Sequence, residues 1–184
     1  MKNIKKASLF LTFILMFSSC MKHVDFDQVD DFSATPVFKS SLVYFTLNQV
    51  NFFDVVNSVE IVSSINDVSG FTILKSSFVR NNLIRAELNF EINNQFNRRF
   101  TVNIEFLDDY NTITHTFNPP VVSANNEEYT FKEKIEIANN QLFLSSTKVR
   151  VSIKLSPSND GSVIDPNVEQ TLVFKSAGTF YLKT

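Results

Sequence analysis

The chain has 184 residues, with 17 Lys and Arg against 19 Asp and Glu for a net charge of −2, and it uses 20 Phe, no Trp, three Gly and a single Cys. A mildly acidic balance without a basic cluster argues against a nucleic-acid partner and against electrostatic adhesion to anionic lipid. One Cys rules out an internal disulfide, so the fold must rest on its core alone.

The first six residues carry Lys2, Lys5 and Lys6 and no acid, and the apolar run Ala7–Phe17 (ASLFLTFILMF) follows. Small residues Ser18 and Ser19 then precede Cys20. A positive head, a short apolar stretch and small residues before a cut are the three parts of a secretory signal. The run is 11 residues long, too short for a bilayer span, which takes roughly 20. Phe17-Ser18-Ser19-Cys20 resembles the lipobox of bacterial lipoproteins, with Phe17 where Leu is usual. That resemblance implies cleavage after residue 19, diacylglycerol on the Cys20 sulfur and an acyl chain such as palmitate on its amine. Acyl chains contribute ~0.8 kcal/mol per buried methylene, so several of them hold a protein on a membrane durably. The plainer alternative is an incidental thiol after an ordinary secretory signal.

Loss of residues 1–19 removes three lysines and no acids, leaving 14 basic against 19 acidic residues and a net charge of −5. About 165 mature residues fit one domain. Residues 20–36 form a lipidated acidic tether in which Asp25, Asp27, Asp30 and Asp31 alternate with Val24, Phe26, Val29 and Phe32. A plain spacer would be rich in Ser, Gly and Pro. These apolar groups are therefore expected to dock, on the chain's own domain as the ordinary case, or on a partner.

From residue 37 to 184 the dominant signal is period-two alternation, the mark of strands with one buried face. Ile84, Ala86, Leu88, Phe90 and Ile92 alternate with Arg85, Glu87, Asn89 and Glu91, and Phe100, Val102, Ile104 and Phe106 with Thr101, Asn103 and Glu105. The polar stretch 93–99 predicts a hairpin between them. The same pattern recurs at 129–137 and 149–155, with weaker strands expected at 39–47, 58–65, 71–79, 111–117 and 169–182. Turn signals fall at 67–70, 108–111, 118–120, 125–126 and 157–166, and mild helical character at 49–57 and 138–146. Short strands at this spacing predict an all-β antiparallel sandwich of immunoglobulin-like or fibronectin III-like arrangement.

The chemistry-bearing residues are few. His115 is the only histidine of the expected domain, and one histidine without Cys falls short of a zinc site. It is expected to be a half-buried strand residue with its ring nitrogens satisfied. Asp108, Asp109 and Asn111 could ligate calcium through oxygens, although a tight turn explains them equally well and the alternating acids of a dedicated loop are missing. No Gly-x-Ser-x-Gly sequence or Ser-His-Asp set stands out. Phe52, Phe53 and Phe143 lie in less regular stretches. If exposed they would offer an apolar patch to a protein partner, with filling of the core as the ordinary role.

The expectation is therefore a non-catalytic lipoprotein of the outer membrane, facing the periplasm or the cell surface. It would be anchored through lipid on Cys20, work as an interaction module or accessory subunit of an envelope complex, and have an outer-membrane or periplasmic protein as partner and no cofactor. Candidate partner contacts are Phe26, Val29, Phe32, Phe52 and Phe53. The alternative is a surface-exposed lipoprotein that binds a ligand or glycan. Heavy use of Phe, Ile, Asn and Lys resembles proteins of AT-rich genomes such as those of flavobacteria-like Bacteroidota. Surface-directed lipoproteins of that lineage carry Lys and then acids directly after the Cys. In Met21-Lys22-His23-Val24-Asp25 the acids are delayed, so the resemblance is partial.

Overall fold

The computed structural model describes residues 36–61, 64–158 and 160–183. The signal peptide, Cys20 and the tether up to residue 35 lie outside the described residues. The elements are β1 (Val37–Asn48), β2 (Phe53–Asp54), β3 (Val59–Glu60), β4 (Ile65–Gly70), α1 (Ser77–Asn82), β5 (Leu83–Asn94), β6 (Phe100–Leu107), β7 (Ile113–Phe117), β8 (Tyr129–Glu136), β9 (Lys148–Leu155) and β10 (Thr171–Leu182). Two four-stranded sheets form, in the orders β1-β10-β5-β8 and β4-β9-β6-β7, with β2 and β3 as a separate two-residue ribbon. All pairings are antiparallel.

The all-β sandwich is as the alternation predicts. The strand order is not immunoglobulin-like or fibronectin III-like, where the first two strands are neighbours. Here β6 pairs with β7, β5 with β8, β4 with β9 and β1 with β10. The chain is thus paired outward from one central hairpin and rolled into two sheets, which is the eight-stranded jelly roll. Alternation reports that a strand has one buried face and is silent about its neighbour, so the pattern predicts the layers and misses the order.

Facing positions of the two sheets fill the core: Ala86, Leu88, Phe90 and Ile92 of β5 and Leu172, Phe174 and Phe180 of β10 meet Val102, Ile104 and Phe106 of β6 and Val149, Val151 and Ile153 of β9. Phe takes the place of absent Trp. Phe52, Phe96 and Phe100 interlock at one end, with centroids 5.1–5.5 Å apart, while Phe71, Phe106 and Phe143 do so at the other, at 5.0–5.7 Å. Each buried Phe contributes about 1.5–3 kcal/mol, and edge-to-face geometry adds to that. The tight 95–99 connection is held by buried Asn94. Its amide donates to Arg98 O (2.9 Å) and Ser123 O (2.7 Å), and its carbonyl accepts from Phe96 N (3.0 Å).

Several local expectations are corrected. Residues 71–79 are not a strand but a 3₁₀ turn, Ile73–Lys75, followed by α1, because the Ser76 hydroxyl caps Val79 N at 3.4 Å. Of the expected strand 58–65 the described residues give β3 and, at Ile65, the start of β4, and the expected turn at 67–70 lies inside β4. That edge strand pairs with β9 alone, and Asp and Gly are tolerated where one strand flank is open to water. The stretches 49–57 and 138–146 give short 3₁₀ turns at 49–52, 137–139 and 141–145. Ile84 is exposed rather than inward. The β5–β10 register shifts there, with Arg85 opposite Tyr181 but Leu83 opposite Leu182.

Candidate interaction surface

The sequence candidates do not come together. Phe52 is fully buried between Phe96 and Phe100, so it is corrected from partner contact to core. Phe52 closes the 3₁₀ turn Gln49–Phe52, where Asn51 Oδ1 accepts from Asn48 N at 2.8 Å. Phe53 is half-buried in β2, and Phe143 is fully buried against Phe71 and Phe106. Cys20, Phe26, Val29 and Phe32 lie outside the described residues.

Asp108 and its neighbours form a turn. Asp108 Oδ1 accepts from Tyr110 N (2.9 Å) and Thr112 N (2.8 Å), and Asn111 adopts a positive φ of 65°. The Lys148 ammonium donates to Asp109 O (3.1 Å) and to Asn111 Oδ1 (2.8 Å). It thereby occupies the Asn111 side-chain oxygen, one of the candidate ligands, while its contact with Asp109 is to the backbone carbonyl. Among the described residues, no group of three or more His, Cys, Asp or Glu is placed to hold a metal. His115 is half-buried as expected, but its Nε2 is buried without a hydrogen-bond partner.

A surface emerges instead from topology. β1 begins where β10 ends: Leu182 N donates to Pro36 O (3.1 Å) and Lys183 N to Asn82 O (2.9 Å). The connections 71–82, 108–112 and 137–147 lie at this same end, called proximal below because the chain enters the sandwich here. The connections 49–64, 95–99, 118–128 and 156–170 lie at the opposite, distal end. The two ends differ in what they expose. Proximally, Tyr110 is 88% exposed, Leu142 71% and Phe78 53%, with Phe38, Ile84 and Ile113 also exposed. The large apolar side chains exposed on the distal connections are all valines, Val56, Val121 and Val163 among them.

Lys75, Arg80 and Lys183 stand exposed among the proximal apolar groups, and a cleft runs between Lys75, Arg80, Asp109, Tyr110 and Ser145. Alternation could not reveal this surface, since Phe78, Tyr110 and Leu142 all lie between strands. At the distal end, Tyr129 donates its hydroxyl to Pro120 O (2.9 Å), and partial burial raises its ionisation above the ordinary tyrosine range.

No family model matches the chain, and no curated protein matches it. Solved structures resemble it weakly. A protein of Parabacteroides distasonis classed as secreted is 11% identical with a TM-score of 0.46, over 64% of this chain and 38% of that one. The VP2 subviral particle protein of infectious bursal disease virus is 8% identical with a TM-score of 0.43, over 81% and 33%. A Bacillus endospore appendage protein is 11% identical with a TM-score of 0.33, over 81% and 91%. The chain thus spans little more than a third of the length of the first two.

Proposed function

We propose that the protein is a non-catalytic bacterial outer-membrane lipoprotein, held by lipid on Cys20, whose jelly roll serves as an interaction module or accessory subunit of an envelope complex. The observation that carries this reading is the position of the lone Cys, directly after a basic head, an 11-residue apolar run and two serines. Acyl chains on that residue would hold the domain at a membrane. A rigid sandwich that exposes Phe78, Tyr110 and Leu142 on the connections of one end suits a binding role, because loops on a fixed scaffold are where recognition concentrates.

Two measurements test it. Cells fed labelled palmitate should incorporate label into the wild-type protein and not into Cys20→Ala, and an unlabelled wild type would sink the anchor. In-cell crosslinking followed by mild-detergent purification should then recover a stoichiometric envelope protein. Recovery of the chain alone would remove the accessory-subunit reading and move the weight to ligand or glycan binding.

A further inference from the structure

We infer that the proximal end of the sandwich rests on the phospholipid surface of the membrane that holds the anchor, so that Phe78, Tyr110 and Leu142 dip into the lipid interface and the distal connections face away from it. The inference rests on the lipoprotein reading and adds to it an orientation and a second membrane contact.

Three observations carry it. Pro36, where the chain enters the sandwich, accepts a hydrogen bond from Leu182 at the proximal end, and Cys20 precedes it by sixteen residues. The tether therefore leaves the sandwich at its proximal end.

The second observation is the kind of side chain displayed there. Two Phe, a Tyr, a Leu and two Ile are exposed proximally beside Val37, against valines on the distal connections, Val56 at 91% among them, and Tyr44 within β1. Aromatic and long aliphatic groups are what a bilayer interface takes up, a tyrosine with its ring in the apolar zone and its hydroxyl among the headgroups. The third is their setting. Lys75, Arg80 and Lys183 flank these groups, and such side chains lay their methylenes along lipid while the charge stays with phosphate. Asp108 and Asp109 stand at the same end, so the contact depends on apolar insertion rather than on net positive charge. The exposed groups come from four separate segments, at 38, 78–84, 110–113 and 142, and so are spread over the end. A broad deformable phase fits such a distribution better than one shaped partner does.

The chain has no other Cys, which permits a site-specific test. The mature chain, residues 20–184 with Cys20→Ser, is mixed with vesicles of phosphatidylethanolamine and phosphatidylglycerol. It carries an environment-sensitive fluorophore on either Leu142→Cys or Val163→Cys. The label at 142 should shift to the blue on adding vesicles and the label at 163 should not. Phe78→Ser with Leu142→Ser should weaken co-sedimentation about tenfold or more, with the melting temperature unchanged because both residues are exposed. Absence of vesicle binding, or an equal shift at both positions, would overturn the inference. The assay omits the lipid anchor, so its failure is distinct from a failure of palmitate labelling.

Discussion

His115 on β7 and Glu133 on β8 face each other across the side of the sandwich where the two sheets end, with Nε2 3.6 Å from the carboxylate Oε1. That separation is too long for a hydrogen bond, and the Nε2 atom is buried without any other partner. Phe143 presents an edge to the imidazole at 5.9 Å, and Phe106 and Phe117 lie 6.4 and 6.2 Å away. A buried nitrogen without a partner costs about 1–3 kcal/mol, and an apolar replacement of similar shape escapes that cost. His115→Phe is therefore expected to leave stability unchanged or raise it by ~1 kcal/mol. Urea unfolding at neutral pH measures this, and a loss above ~1 kcal/mol would show that the imidazole makes a bond the static geometry hides.

Arg98 is the opposite case, a buried charge with every incentive to stay paired. Its guanidinium grips both oxygens of Glu60, with Nη2 3.2 Å from Oε2, and donates to Ser156 O (2.8 Å) and Ser162 O (3.1 Å). Glu60 also accepts from Ile164 N (2.7 Å). One ion pair thus ties the β2–β3 ribbon, the 95–99 turn and the long 156–170 connection together at the distal end. The side chains are only 7% and 15% exposed, so removing one partner strands the other. Glu60→Ala should cost about 3–5 kcal/mol, whereas replacing both, as Glu60→Leu with Arg98→Met, should cost markedly less. Urea midpoints of the two variants check the contrast, and equal losses would show that packing rather than pairing decides the site.

How much of this was legible depends on what each residue reports. The alternation through Phe90 and Phe106 gave the buried faces correctly, because period two depends only on the strand's own geometry. The partners of those strands depend on closing the chain outward from one hairpin, which no window of sequence contains. Ile84 fits the period and is nonetheless exposed, since the register shift between Tyr181 and Leu182 breaks the alternation at that point. Arg98 reads as a solvated turn residue until Glu60, 38 positions earlier, is brought beside it. The proximal surface was hidden for a different reason: Tyr110 is read as a turn residue and Leu142 as part of a mildly helical stretch, and only topology shows that they share an end with Pro36.

Gly178 tests how tightly the inner face of the β1-β10-β5-β8 sheet is filled around Phe180. A Cβ there would lie 2.6 Å from Phe180 Cε2 and Cζ and 3.5 Å from Leu88 Cδ2. Both neighbours are fully buried, and Phe180 also packs at 6.0 Å on Phe71, so the ring has little room to retreat. Overpacking of this kind costs about 1–3 kcal/mol. Gly178→Ala should lower the urea midpoint without changing the slope. An unchanged midpoint would mean that the Phe180 ring can turn aside at no cost.

Two exposed carboxylates set the expected response to acid. The hydroxyl of Ser158, 2.5 Å away, and the Ser162 side chain and backbone N–H hold Asp160 well below the ordinary carboxylate range. The side-chain amide of Asn57, at 2.6 Å, and then the N–H groups of Asn57 and Val56 lower Asp54. A carboxyl whose ionisation is easier in the folded chain leaves that state with fewer protons than the unfolded one. Its stabilisation is then complete above the unfolded value, ~3.9, and fades as pH falls from there through the lower folded values. Asp54→Asn with Asp160→Asn should melt slightly below wild type at about pH 7, and the two curves should converge towards about pH 2. The difference should be small, since solvent screens both groups. A gap that stays constant across the range would assign the effect to lost turn geometry rather than to charge.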